Sequence, residues 1–227
     1  MNRSVVVTGA SGGIGHLLCK AFLREGVRTY AVSRNPPDIE DALYRQVAVD
    51  LSNPGAGLHI AAALTQDSEP SLNMLVHNAG VLYNAPFEAL DTGALEEMVE
   101  VNFLAPYRLT AALLPWLRGA EVAHTVYIGS MAGFQGSRKY AGLSGYSATK
   151  AAGSALMESL AAEYRGENMY FNCLSLGAVQ TEMLERAFPG TEGLKPEDIC
   201  GYIAGFALEG WRYFNGRVLP LSLGDPI

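Results

Sequence analysis

Short unbroken apolar runs alternate with stretches whose apolar positions recur every three to four residues, and this rhythm continues to about Leu221. The runs predict strands at Ser4–Thr8, Arg28–Ser33, Gln46–Val49, Leu72–His77, Val122–Gly129, Tyr170–Leu174 and Arg217–Leu221. Several are apolar on consecutive positions, as in Val5-Val6-Val7, rather than on every second one. Strands covered on both faces have that pattern, and such strands belong to parallel sheets. Helical spacing predicts helices over Ile14–Glu25, Gly57–Leu64, Thr92–Leu114, Gly145–Tyr164 and Pro196–Leu208. The last opens with Pro196 at its first position and Glu197 and Asp198 in its first turn, both favourable at a helix start. Alternation of this kind implies a doubly wound α/β fold of three layers. A mostly parallel sheet of seven strands would carry helices on both faces, joined by right-handed crossovers. No repeat, low-complexity tract or linker interrupts the 227 residues, so one domain is expected over 1–227.

Composition narrows the function classes without choosing among them. Apolar residues make up 49% of the chain, enough for a substantial core. A net charge of −7 argues against a nucleic-acid partner, which would need clustered Lys and Arg. Cys19, Cys173 and Cys200 are odd in number and lack metal-ligand spacing, so neither a disulfide framework nor a metal site is expected. Met1-Asn2-Arg3 leads straight into the first apolar run with no signal peptide, and no stretch reaches the ~20 apolar residues of a membrane span. A cytoplasmic protein with no membrane partner is expected.

Candidate chemistry begins at the first strand-to-helix junction, Thr8-Gly9-Ala10-Ser11-Gly12-Gly13-Ile14-Gly15. Glycines at 9, 13 and 15 let the backbone turn tightly and approach a pyrophosphate, and Gly15 lets the helix pack closely on the sheet. The helix N-terminus then offers unpaired N–H groups to the anion. A second signal is Tyr146 with Lys150, four residues apart and so on one face of a helix. An ammonium there favours phenolate over phenol, lowering a tyrosine pKa near ~10 and suiting it to proton transfer with an alcohol or carbonyl. Alone, the pair reads first as a helix-surface contact.

Taken in order, the glycine loop, Asn78-Ala79-Gly80, Asn102, Ser130, Tyr146-x-x-x-Lys150 and Gly177 with Thr181 resemble the short-chain dehydrogenases/reductases of the single-domain type. The likeness runs from Val5 to about Leu221. It implies a Rossmann-type fold and an oxidoreductase acting on a carbonyl or secondary alcohol. Tyr146 would be the general acid/base, Lys150 would lower its pKa and bond the nicotinamide ribose, Ser130 would polarise the substrate carbonyl, and Asn102 would hold a water extending the proton relay. Cofactor contacts are implied at Gly9, Ser11, Gly13, Ile14, Gly15, Ser33, Arg34, Asp50, Leu51, Asn78, Ala79, Gly80, Gly177, Val179 and Thr181, besides Tyr146 and Lys150. Asp50 could equally cap the segment after it, and Ser130 its own turn; Asn102 could be a turn or helix-kink residue, since Pro106 close behind it would distort the helix locally. His77 reads as packing. A homodimer or homotetramer built on the helices at Thr92–Leu114 and Gly145–Tyr164 is also implied.

The cofactor follows from the end of the second strand. An acidic residue there would bond the ribose 2′-hydroxyl, but the chain reads Ser33-Arg34, and an arginine can pair a 2′-phosphate. NADP(H) is expected over NAD(H), although Gly12 stands where many NADP-dependent relatives are basic. Other departures are a longer Phe134–Leu143 loop bordering the substrate, where Arg138-Lys139 could attract an acid or face water. Leu176-Gly177 replaces Pro-Gly, and Ser222-Leu223-Gly224 replaces Asp-Gly-Gly. The segment 182–195 is expected to be a short substrate lid with Met183, Leu184 and Phe188 on its apolar face. Two rival readings remain, a catalytically idle dinucleotide-binding regulator of the same fold and an epimerase or dehydratase holding NAD tightly.

Overall fold

The computed structural model describes residues 3–222. Seven strands, β1 (Ser4–Thr8), β2 (Arg28–Ser33), β3 (Tyr44–Ala48), β4 (Met74–His77), β5 (Ala123–Ser130), β6 (Met169–Leu176) and β7 (Arg217–Leu221), form one sheet in the order β3-β2-β1-β4-β5-β6-β7. Every neighbouring pair is parallel. The winding reverses between β1 and β4, which opens a crevice beyond the carboxyl ends of those strands.

The consecutive apolar positions have the predicted consequence. Val5 and Val7 face one core and Val6 the other, all fully buried. The first core is closed by α1 (Gly13–Arg24) and α7 (Pro196–Glu209), and the second by α2 (Ala56–Gln66), α4 (Ala105–Gly119) and α5 (Ser144–Glu163). Each such side chain contributes about 1.5–3 kcal/mol relative to exposure, so both faces of the sheet are held strongly. The remaining helices are α3 (Thr92–Val99) and α6 (Glu182–Ala187). No helix among the described residues is long and apolar enough to cross a membrane.

One predicted helix is interrupted where Asn102 and Pro106 allow a local distortion. The predicted helix over Thr92–Leu114 is split into α3, a π-turn at Glu100–Leu104 and α4. Pro106 explains the break, because it has no N–H to give the carbonyl of Asn102 four residues back. The ion pair of Glu100 with Arg108 spans the turn. Beyond it α4 runs on through Pro115, which is tolerated because that side of the helix faces water.

Candidate active site

The glycine loop folds against the turn that follows β4. Gly9 and Gly13 have φ of +69° and +50°, conformations that favour glycine. A Cβ on Gly9 would lie 2.7 Å from Ala79 Cα, and one on Gly15 would lie 2.2 Å from the Gly9 carbonyl oxygen. Thr8 Oγ1 accepts from the N–H groups of Asn78 and Ala79 at 3.0 and 3.1 Å, and Asn78 Nδ2 donates to the carbonyls of Thr8 and Gly9 at 2.9 and 3.2 Å. Asn78-Ala79-Gly80 is therefore a structural brace for the loop. No side chain caps the N-terminus of α1. Its unpaired N–H groups and positive dipole end suit a pyrophosphate, as does the exposed backbone of Ser11 to Gly13. Ile14 is half-buried and packs on the first core. A Cβ on Gly13 would come within 3.6 Å of Thr181 Cγ2, so the loop faces the base of the lid.

At the end of β2, Ser33 Oγ is buried with no protein hydrogen-bond partner, and Arg34 stands exposed. An orphan hydroxyl beside a cation would offer polar contacts to the ribose of a dinucleotide. Asp50 Oδ1 accepts from the N–H and hydroxyl of Ser52 at 2.9 and 2.8 Å, bonds that hold its carboxyl below the usual range. Leu51 lines a hollow with Thr8, His77, Ala79 and Val101. His77 is buried, 2.9 Å from Thr110 Oγ1, and burial pushes its pKa down to about 3. It is a neutral packing residue, as expected.

The groups expected to react meet where β5 ends and α5 begins. Ser130 Oγ accepts from the Ala132 N–H at 3.1 Å, and its hydroxyl is near enough to Tyr146 to act on the phenol. Burial pushes Tyr146 up to about 12, with the nearby Ser130 hydroxyl acting in the opposite direction. Lys150 is buried one turn further on, and desolvation brings its pKa down to about 8. Its Nζ donates to the Ile128 carbonyl at 2.9 Å and lies 5.9 Å from the Tyr146 ring centroid. The expected lowering of the phenol by the ammonium is not seen in the protein itself, where burial dominates and Ser130 alone acts against it. At pH 7 the pair is phenol and ammonium.

Asn102 is a staple rather than a free polar group. Its Oδ1 accepts from the Val81 N–H at 2.9 Å, and its Nδ2 donates to the Val81 carbonyl and to Thr149 Oγ1, both at 3.0 Å. A Cβ on Gly80 would meet Lys150 Nζ at 3.2 Å and Asn102 Oδ1 at 3.3 Å, so the brace after β4 reaches the reactive groups.

The segment expected to be a lid is clamped at its base. Val179 bridges Leu194, and the Gln180 and Leu194 N–H groups donate to the carbonyls of Leu194 and Ala178 at 2.8 and 2.9 Å. Thr181 Oγ1 caps α6 by accepting from the Leu184 N–H at 3.3 Å. Phe188 packs on the cluster of Met98, Ala132, Leu143 and Tyr146, and Asn84 Nδ2 donates to the Ala187 carbonyl at 2.8 Å. The close approach at Gly177 is to the chain after β7, where a Cβ would meet Ser222 Oγ at 2.7 Å. Leu223 and Gly224 lie outside the described residues. In the longer loop, Lys139 turns inward and donates to the carbonyls of Ala132 and Phe134 and to Ser137 Oγ at 2.9, 2.7 and 2.8 Å. Arg138 stacks on the exposed ring of Tyr140, 5.5 Å from its centroid.

This arrangement has relatives. The family model of the short chain dehydrogenases matches residues 3–192. The chain belongs to the short-chain dehydrogenase family. It is 32% identical to an uncharacterised oxidoreductase of Escherichia coli K12, YciK, over 87% of this chain and 83% of that one. A short-chain dehydrogenase from Escherichia coli CFT073 complexed with NADPH superposes with a TM-score of 0.86 at 27% identity, covering 97% of each chain. A 3-ketoacyl-(acyl-carrier-protein) reductase from Brucella melitensis complexed with NADH gives 0.87 at 22% identity, over 99% and 98%, a likeness of fold alone. The protein is a nicotinamide-dependent dehydrogenase or reductase of this family.

Within the family frame, Ser130, Tyr146 and Lys150 converge, and Asn102 and Gly80 close on Lys150. The glycine loop, Ser33, Arg34, Asp50 and Leu51 sit at the ends of β1, β2 and β3, with Gly177, Val179 and Thr181 after β6. Sequence reasoning did not single out Thr8 or Thr149, which hold the glycine loop and Asn102. Their signal was available: each is a hydroxyl within an otherwise apolar buried face, and such groups need partners.

Proposed function

We propose that the protein reduces a carbonyl group to an alcohol with NADPH, running the reverse oxidation with the same groups, and that Tyr146 supplies the proton. The observation that carries this is the meeting of Tyr146 and Ser130 at the end of β5 with the Lys150 ammonium one helical turn away. The nicotinamide supplies the hydride when bound. Charge then grows on the substrate oxygen, which needs two donors. Ser130 Oγ accepts one bond, from the Ala132 N–H, and its own proton remains to be directed at that oxygen. Tyr146 keeps its proton at neutral pH, which suits the general acid of a reduction. Lys150 stays charged below about 8 and favours the phenolate left behind. Asn102 and Val81 hold the wall beside these groups, and the second lone pair of the Asn102 carbonyl is what remains for the relay water.

NADPH follows from Ser33 and Arg34. Asp50 with Leu51 would frame the adenine, and the uncapped start of α1, facing Thr181, would take the pyrophosphate. Arg34→Glu is expected to reverse the NADPH/NADH preference, disfavouring NADPH by roughly tenfold or more. An unchanged ratio in steady-state kinetics contradicts the assignment. A homodimer or homotetramer over α4 and α5 belongs to the same reading, because Ala148, Ala151 and Ala155 of α5 are exposed rather than in the core. A sedimentation mass of one chain contradicts that part.

A further inference from the structure

Tyr127 is the largest polar group behind the reactive centre, and the carbonyl-reducing role proposed above gives it no task. It is fully buried on β5. Its ring centroid lies 5.0 Å from Lys150 Nζ, nearer than that of Tyr146, and its hydroxyl donates to the Asn102 carbonyl at 2.8 Å. That carbonyl is the one Pro106 cannot serve. Room for the ring comes from Gly153 on α5, where a Cβ would sit 2.3 Å from Tyr127 Cζ. A bulky ring, a missing side chain opposite it and a missing helical N–H thus fit one another from three separate elements.

We propose that Tyr127 is a positioning residue of the catalytic centre: its ring face is the seat of the Lys150 ammonium, and its hydroxyl holds the Asn102 carbonyl in the π-turn. A cation within about 6 Å of an aromatic face is attracted by it, most strongly away from water. Among the described residues only the Ile128 carbonyl accepts a hydrogen bond from Nζ, so the ring supplies the second contact to the charge. Its other neighbours are the Tyr146 ring from α5, the Cys173 thiol from β6, kept protonated by burial, and the neutral Asn102 and Gly80. None of these carries a negative charge at neutral pH. Through its two ends Tyr127 ties the ammonium to the π-turn, and through Asn102 to Val81 and the brace after β4.

The test reads Lys150 directly. The chain has four lysines, Lys20, Lys139, Lys150 and Lys195, so 15N-lysine labelling gives a resolvable titration of the Lys150 ammonium. Tyr127→Phe keeps the ring face and is expected to leave the midpoint in place, while speeding hydrogen exchange at the π-turn amides. Tyr127→Met, which fills much of the space without a ring, is expected to lower the midpoint by about one pH unit, a roughly tenfold change in acidity. The kcat–pH profile for NADPH-dependent carbonyl reduction should shift in the same direction. A folded Tyr127→Met protein whose midpoint is unmoved or raised overturns the proposal. Should that variant not fold, Gly153→Ala, which drives a methyl into the ring, takes its place with the same expected fall. The titration needs no turnover, so a wild-type protein that consumes no NADPH defeats the function proposed above and leaves this seat to be decided by the spectra.

Discussion

A methyl group added at Gly15 would sit 2.2 Å from the Gly9 carbonyl oxygen, whereas one added at Gly12 would touch nothing within 4 Å. Gly15→Ala is therefore expected to force the loop open, with NADPH affinity falling at least about tenfold and stability by about 1–3 kcal/mol. Gly12→Ala should leave both nearly as they were. Fluorescence titration and urea unfolding of the two variants check the contrast, and equal effects would contradict it. The glycines, Ser130, Tyr146 and Lys150 are legible in the sequence because their meaning lies in spacing along a strand end or one helix face. Tyr127 is not, since its partners Asn102 and Gly153 come from two other elements. Nor could spacing show that Lys139 turns inward while its neighbour Arg138 faces out.

Between residue and fold stand the π-turn and the lid. Helical periodicity carries through Thr92–Leu114 without a visible break, because a one-residue insertion in a helix hardly alters the apolar rhythm. Pro106 marks the place, but the consequence depends on Asn102 finding Val81 and Thr149 across space. The apolar positions of the segment expected as a lid can be read from the sequence, yet its fastening is non-local: Asn84, 103 positions away, holds the Ala187 carbonyl, and Phe188 rests on the cluster around Tyr146. Removing that partly exposed bond with Asn84→Ala is expected to change global stability by under about 1 kcal/mol. Hydrogen exchange of the amides in 182–190 should rise severalfold, with a higher rate of product release if opening limits turnover. Unchanged exchange would show that Phe188 alone holds the lid.

At the scale of the whole molecule, the strand order follows from simple rules, because alternating elements and right-handed crossovers leave few ways to wind a parallel sheet. Its hidden liability is acid. His77 and His124 are fully buried and neutral, with pKa values pushed down to about 3 and about 4 from 6.5. His124 Nδ1 donates to the Ala207 carbonyl at 3.0 Å and its Nε2 accepts from Asn172 at 2.9 Å, so neither nitrogen can gain a proton without breaking a contact. Between those values and 6.5 the unfolded chain binds protons that the folded chain does not, so stability falls as pH drops. The loss starts near pH 6.5, above the usual carboxylate range, and amounts to about 2 kcal/mol per histidine at pH 5. Urea midpoints at pH 7, 6 and 5 should decline in step, and a flat series would contradict the burial of these rings. The claim on which the enzymatic account rests is that the Tyr146 phenol delivers the proton beside Ser130 and Lys150. Its most direct measurement is NADPH consumption with a panel of aldehydes, ketones and 3-oxoacyl esters by the wild-type protein and Tyr146→Phe, each with a parallel NADPH binding titration. The account predicts that kcat falls by about 10²–10⁴-fold while the NADPH Kd stays within about twofold. Turnover that survives the substitution, or is lost together with NADPH affinity, would contradict it.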